Sequence, residues 1–180
     1  MEKFKSARES RLSITELMVP SHSNFGGKIH GGHILSLMDQ IAFACASKHS
    51  RKYCVTASVN RVDFRSPVDV GELLTLKAAI NYTGRTSMVV GVRVESQNIT
   101  TGKKRHCNSS YFTMVAKNEE GKSTPIPGIR LTTPDDVRRF SRSIERQEEA
   151  KYRVSRFNRG NFNVQEYLAL LDNQNVKVEL

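Results

Sequence analysis

Tryptophan is absent from this 180-residue chain, and aromatic residues make up only 7% of it. A surface that stacks nucleic-acid bases needs aromatic rings, so we expect no nucleic-acid partner. Only three cysteines occur, without Cys-x-x-Cys spacing. That usage argues against a disulfide framework and favours a reducing, cytoplasmic location.

Long apolar runs are also lacking. The longest spans about 13 residues, which is too short to cross a bilayer, so we expect no membrane partner. Residues 1–15 are charged and polar throughout, which is unlike a secretion signal.

Positive charge is plentiful, with a formal net charge of +10. Residues 1–127 hold 18 Lys and Arg against 10 Asp and Glu, an excess of eight, and residues 128–180 hold 10 against 8, an excess of two. The excess therefore lies in the main body of the chain. It predicts a surface that meets an anion, such as nucleic acid, a phosphorylated cofactor or an acidic partner.

The segment from Pro20 to Ser50 joins a glycine-rich loop to a strongly apolar helix. From Ile34 to Ala46 nearly every face is apolar, which predicts a helix surrounded by other structure. Asp39 is the single ionisable group in that run. A carboxylate among apolar neighbours loses hydration and becomes a better base, so Asp39 is a candidate catalytic residue.

Glycines precede this helix. Gly31 and Gly32 stand where the first helical N–H groups lack partners, so the loop can present bare amides to an anion or a developing oxyanion. The alternative is a plain tight turn into a buried helix. A phosphate loop does not fit, because Lys28 follows Gly26-Gly27 without an adjacent Ser or Thr.

The remaining pattern predicts one strand before the helix and four strands in hairpin succession after it. We expect an α+β fold in which a curved antiparallel sheet wraps around one long central helix. One flank of that helix would remain uncovered by a single sheet, which predicts an obligate dimer. The predicted strands are Arg11–Val19, Tyr53–Phe64, Leu73–Tyr82, Ser87–Gln97 and His106–Ala116.

The character of the chain changes after Pro127, which predicts a domain over residues 1–127 and a helical C-terminal extension over 128–180. Thr133 and Pro134 form a helix start. Along that helix Val137, Phe140 and Ile144 form an apolar stripe. A short amphipathic helix is predicted over Val164–Leu171.

Several motifs together resemble the hot-dog-fold acyl-CoA thioesterases, specifically the cytosolic acyl-CoA hydrolase branch. The resemblance covers roughly Leu12 to Ala116. It is carried by Met18-x-Pro20-x-x-x-Asn24-x-x-Gly27-x-x-x-Gly31-Gly32-x-x-Leu35-x-x-x-Asp39, by Val55-Thr56-Ala57-Ser58-Val59, by Phe64-x-x-Pro67-Val68-x-Val70-Gly71 and by Gly84-Arg85-Thr86-Ser87.

The resemblance implies a hot-dog fold and hydrolysis of acyl-CoA to free fatty acid and coenzyme A. It implies that Asp39 acts as general base or nucleophile, that Asn24 holds the attacking water or the substrate carbonyl, and that the Gly31 and Gly32 amides form the oxyanion hole. No cofactor is expected, since coenzyme A is part of the substrate. The residues implied to contact coenzyme A are Ser58, Val59, Asn60, Arg85, Thr86 and Ser87.

The same resemblance implies a homodimer as the minimal unit and a hexamer built as a trimer of dimers, and it leaves a nucleotide regulator open. Helix geometry independently favours a dimer. Asp39 lies seven residues beyond Gly32, about 10 Å along the axis, while one reacting carbonyl needs both groups within roughly 3 Å. A composite site is therefore predicted, with Asn24 and the glycine amides from one subunit and Asp39 from the other.

Three histidines, His22, His30 and His33, raise the alternative of a zinc site. No carboxylate or cysteine accompanies them along the chain, so we expect no metal. Two further functions stay open: a hot-dog hydratase or dehydratase, which pairs an Asp or Glu with a His and is kept open by His30 or His33, and a non-catalytic acyl-CoA sensor.

Overall fold

The structure is a computed structural model that describes residues 3–156, 164–168 and 174–179. Its contacts define two units, Met1–Ser143 and Ile144–Leu180. The boundary predicted after Pro127 stays a prediction. Among the described residues, no helix combines the length and the apolar character needed to cross a membrane.

The described elements follow the predicted order, with short additions at both ends. They are β1 (Phe4–Ser6), α1 (Ala7–Ser10), β2 (Leu12–Leu17), a 3-10 helix (Pro20–His22), α2 (Gly31–Ser50), β3 (Tyr53–Val59), β4 (Glu72–Thr83), β5 (Ser87–Asn98), β6 (Lys104–Lys117), β7 (Gly128–Arg130), α3 (Pro134–Arg156) and α4 (Val164–Leu168).

Five antiparallel strands form the main sheet in the order β2-β4-β5-β6-β3. The predicted α+β fold, an antiparallel sheet around one central helix, is confirmed. The predicted hairpin succession is wrong at its first step, because β3 pairs with β6 rather than with β4. Strand β3 also ends at Val59 instead of Phe64, because beyond it the backbone keeps only separate hydrogen bonds to β6, from the Asn60 amide to the Tyr111 carbonyl and from the Arg65 amide to the Cys107 carbonyl.

The core lies between α2 and the inner face of the sheet. Inward-facing positions alternate along β4 as Leu74, Leu76, Ala78 and Ile80, all nearly inaccessible to solvent. Helix α2 contributes a buried face that includes Met38. The opposite flank is uncovered in one chain, as predicted for a helix against a single sheet, and Ser36, Gln40 and Phe43 on it are exposed.

His49 fixes the C-terminal end of α2. Its Nδ1 accepts a 2.8 Å hydrogen bond from the Ser10 hydroxyl, and its Nε2 donates at 3.1 Å to the Pro127 carbonyl. This arrangement requires a neutral imidazole, since one ring nitrogen must accept. Loss of hydration on burial lowers the pKa of His49 below its usual 6.5. The N-terminal segment and the Pro127 segment are thereby held against α2.

Helix α3 begins at Pro134 with Thr133 as its cap, as predicted, and the Thr133 hydroxyl accepts from the Asp136 amide at 3.1 Å. The predicted packing stripe is wrong at two of its three positions, because Val137 is 50% exposed and Ile144 is 39% exposed. The face with Asp136 and Ser143 is buried instead, and Phe140 contacts Tyr82 with ring centroids 5.0 Å apart.

The predicted helix Val164–Leu171 is described over α4. Its last three positions, 169–171, lie outside the described residues, as do residues 157–163 of the extension.

Candidate active site

Asn24 lies in the loop between the 3-10 helix and α2, where the loop backbone fixes its side chain. Its Oδ1 accepts hydrogen bonds from the amides of Gly26 at 2.9 Å and Lys28 at 3.2 Å. Only Gly27 among the four loop glycines takes a left-handed backbone, with φ of 72°. Because the oxygen accepts these bonds, the Asn24 Nδ2 group is left to donate, and it has no acceptor among the described residues.

The start of α2 differs from the predicted pair of bare amides. His30 caps the helix, and its Nδ1 accepts from the Gly32 amide at 3.0 Å. A side chain at Gly32 would meet that ring at 3.0 Å, and one at Gly31 would meet the Phe64 ring at 3.2 Å. Among the described residues the Gly31 amide has no hydrogen-bond acceptor. Gly31 therefore supplies a bare amide, and Gly32 does not.

Asp39 lies two turns further along α2 and is only partly buried. The Thr56 hydroxyl of β3 donates a 2.6 Å hydrogen bond to its Oδ1. Thr56 Oγ1 also lies 3.4 Å from Met114 Sδ, but a carboxylate is much the stronger acceptor. The expected apolar burial of Asp39 is thus absent within one chain, and a hydrogen bond from the neighbouring strand orients the carboxylate instead.

A cavity of about 530 Å³ lies beside this pair. Asp39, Gln40 and Phe43 line it from the helix, and residues 53–56 line it from β3. Neither Asn24 nor the glycines of the helix start reach it. Within one chain the predicted catalytic residues therefore form two groups. Asn24, Gly31 and Gly32 lie at the start of α2, and Asp39 lies about 10 Å further along the helix.

Some of the residues predicted to contact coenzyme A follow the cavity lining along β3. Ser58 and Val59 follow Thr56 on β3 and are exposed, and Asn60 comes directly after the strand. The Arg85-Thr86-Ser87 turn joins β4 to β5. Ser87 pairs with Val115 of β6, and Val115 pairs with Val55 of β3. Ser87 and Val55 are therefore two strand spacings apart, about 10 Å, and Val55 is next to Thr56.

The basic residues differ in their availability to a ligand. Arg105 pairs with Glu72 at 2.6 Å and with Asp69 at 3.3 Å, and Arg61 pairs with Asp63 at 2.8 Å. Arg85 is exposed and forms no ion pair among the described residues. Arg85 therefore remains available to bind a phosphate.

The histidines that kept a hydratase open have other contacts. His30 caps α2, as described above, and the His33 ring stacks on His22 with centroids 3.8 Å apart. Neither ring contacts Asp39. Among the described residues no imidazole pairs with Asp39, and the carboxylate near His22 and His33 is that of Glu16.

Comparison with known proteins now decides the family. The model of the thioesterase superfamily matches residues 26–103. Protein VdlD of Helicobacter pylori is 43% identical over 143 residues, which is 79% of this chain and 82% of that protein. The chain belongs to the thioesterase superfamily.

Solved structures agree with this assignment. A crystal structure of an apo-hexameric acyl-CoA thioesterase superposes on this thioesterase with a TM-score of 0.82 at 39% identity, covering 84% of this chain and 97% of that one. An acyl-CoA hydrolase of Staphylococcus aureus, in complex with butyryl coenzyme A, coenzyme A and coenzyme A disulfide, gives a TM-score of 0.80 at 30% identity and covers 92% and 99%. The hot-dog fold is thereby confirmed.

The S. aureus enzyme has also been solved with single alanine replacements of an asparagine, an aspartate and a threonine. Threonine was absent from the catalytic residues that we predicted for this thioesterase. The Val55–Val59 motif contains Thr56, but the sequence alone does not show that the hydroxyl of Thr56 lies beside Asp39.

Proposed function

We propose that this protein hydrolyses acyl-CoA thioesters to a carboxylic acid and coenzyme A. The observation that carries the proposal is the Asp39 carboxylate, held by Thr56 at the edge of the cavity. The three positions replaced in the S. aureus enzyme lie 15 and 17 residues apart, the spacings found here from 24 to 39 and from 39 to 56.

The chemistry follows from which atoms are free. With Oδ1 of Asp39 engaged by Thr56, Oδ2 is available to take a proton from water as that water attacks the thioester carbonyl carbon. The carbonyl oxygen gains negative charge, and the Gly31 N–H and the Asn24 Nδ2 group are the free donors suited to it. The carbon–sulfur bond then breaks, and the thiolate of coenzyme A recovers the proton.

We infer that the two groups of residues meet across a dimer interface. Strand β3 is an edge strand with an unpaired side, and its residues 56–59 are exposed. Phe25, next to Asn24, is fully exposed, and the Phe43 and Tyr53 rings are also accessible beside the cavity. A second copy covering these apolar side chains would bring its Asn24 loop toward Asp39.

Higher assembly and ligand contacts follow the same proposal. Three such dimers would form a hexamer, the state named for one solved relative. We assign the phosphates of coenzyme A to Arg85, whose planar fork suits them, and the pantetheine arm to the strand positions Ser58 and Val59. Regulation by a nucleotide stays a prediction.

The test is release of free thiol from saturated acyl-CoA substrates across a panel of chain lengths. The Asp39→Asn variant should lose at least about 100-fold in turnover with its fold and oligomeric state unchanged, because a general base contributes that much. Asp63→Asn is the matched control, since Asp63 is an exposed carboxylate paired with Arg61. Near-normal turnover of Asp39→Asn would overturn the assignment, and binding without turnover by the wild type would indicate a sensor.

A further inference from the structure

Two histidine ring nitrogens near the start of α2 have no hydrogen-bond partner within the described part of the chain. They are Nδ1 of His22 and Nε2 of His33, and solvent reaches neither atom although the two side chains are 24% and 26% exposed. A buried polar atom without a partner costs free energy, and native structures contain few of them. Two such atoms within 4.8 Å of each other indicate a ligand.

Glu16 supplies the third group at that point. Its Oε1 lies 3.9 Å from His22 Nδ1 and 3.6 Å from His33 Nε2, which is too long for hydrogen bonds. Ligand atoms of the three residues all lie within 4.8 Å of one another. For bonds of about 2.1 Å in a tetrahedral centre, neighbouring ligand atoms are about 3.4 Å apart. The observed separations are longer than this, so the three side chains must move closer together to bind a metal ion.

We propose that Glu16, His22 and His33 bind a divalent transition metal of the zinc class. Two imidazoles and one carboxylate form a ligand set that zinc accepts, with a fourth position left for water. Magnesium and calcium are disfavoured, because they prefer oxygen ligands throughout. The sequence predicted no metal because no carboxylate is close to the histidines along the chain. The fold brings Glu16 to them from β2.

The stacked rings define what binding must change. The rings of His22 and His33 lie with centroids 3.8 Å apart and planes inclined by 24°. A nitrogen lone pair lies in its ring plane, so one metal ion can bind both rings only if their planes open further. Rotation of either partly exposed ring achieves this without moving the backbone.

The position of the cluster predicts the effect of the metal. Its ligands come from the end of β2, the 3-10 helix and the first turn of α2. His22 is two residues before Asn24, and its carbonyl accepts from the His30 amide at 2.8 Å. A bound ion would crosslink the loop that carries Asn24 to the helix start that carries Gly31. We therefore assign the metal a bracing role, which stabilises the folded state by mass action.

The experiment uses full-length protein without an affinity tag, stripped of metal by a chelator. Titration with Zn²⁺ is followed by calorimetry and by the melting temperature, and titration with Co²⁺ by visible absorption, which reports ligand geometry. We expect one ion per chain with micromolar affinity or tighter, and a higher melting temperature with Zn²⁺. Glu16→Gln, His22→Ala and His33→Ala should each weaken binding at least about 10-fold, the loss that even outer-shell changes commonly produce.

His30→Asn is the matched control. It removes a histidine from the same loop but keeps a side-chain acceptor at the helix cap, so it should bind the metal like the wild type. Glu16→Gln is nearly isosteric, which keeps the test valid if an alanine variant fails to fold. The proposal is overturned if the wild type binds only at millimolar metal, if Glu16→Gln binds as tightly as the wild type, or if His30→Asn loses the metal as fully as the ligand variants do.

Discussion

The Thr56 hydroxyl donates a 2.6 Å hydrogen bond to Asp39 Oδ1 and so joins the central helix to the edge strand of the sheet. The bond uses one carboxylate oxygen and leaves the other free. It also fixes the carboxylate plane relative to the cavity, so the chemistry depends on the register between α2 and β3.

Replacing Thr56 tests this relationship. Thr56→Val keeps the shape and removes the donor, and a hydrogen bond to a charged group is worth about 1.5–3 kcal/mol. We expect turnover to fall about 10- to 150-fold with little change in KM, because the bond positions the base rather than the substrate. Thr56→Ser should retain most of the activity. Near-normal turnover of Thr56→Val together with a loss in Thr56→Ser would show that the strand needs the threonine methyl group for packing and not the hydroxyl.

Arg85→Ala tests the coenzyme contact. Since a phosphate contact is made equally in the ground and transition states, KM for acyl-CoA should rise by about 10- to 150-fold while turnover stays nearly unchanged. An acyl-pantetheine substrate, which lacks the nucleotide, should be indifferent to the change. Arg61→Ala is the control, because that arginine is already paired with Asp63. A similar loss on both substrates would assign Arg85 to the fold or to the acyl site.

Acid should destabilise the protein through His49. The unfolded chain takes up a proton near the usual pKa of 6.5, while burial lowers the pKa in the folded state. The contribution of His49 to stability is therefore complete above about pH 6.5 and falls as the pH drops below that value toward the folded-state pKa. His49→Gln should show a smaller loss of melting temperature between neutral and mildly acidic pH than the wild type. His106→Gln should keep the wild-type slope, and if both variants behave alike the effect lies elsewhere.

The docked face of α3 can be checked by stability. Phe140→Ala should cost at least about 1 kcal/mol, because the ring packs on Tyr82. Val137→Ala should change stability by less than about 0.5 kcal/mol, since Val137 is half exposed. Urea unfolding measures both. The reverse order would restore the stripe predicted from periodicity.

Periodicity and turn signals were enough to predict α2, the antiparallel sheet and the capped start of α3. They failed where the answer depended on contacts between distant segments. The pairing of β3 with β6 cannot be read from local pattern, because the crossing segment after Val59 has neither a strict alternation nor a tight turn. The apolar stripe on α3 was misleading because Asp136 and Ser143 are buried through hydrogen bonds, which a hydrophobic count ignores.

The candidate site divides in the same way. Asn24, Asp39 and the glycines were singled out because their residue types are unusual for their positions. The roles of Thr56 and Glu16 depend on neighbours that the fold brings in, and Thr56 is 17 residues from Asp39 along the chain. The role of His30 depends on the local backbone, because it caps the amide of Gly32 two residues later. The occupation of the Gly32 amide by His30 was missed because a histidine is an uncommon helix cap.

The composite site is the central claim, and subunit mixing tests it most directly. Asn24→Ala and Asp39→Ala proteins are purified separately, shown to be inactive, and then mixed under conditions where labelled subunits are seen to exchange. If Asn24 and Asp39 act from different chains, half of the dimers become mixed and each holds one intact site of two, so thiol release should recover to about one quarter of the wild-type rate. No recovery despite demonstrated exchange would mean that both residues serve one site from the same chain.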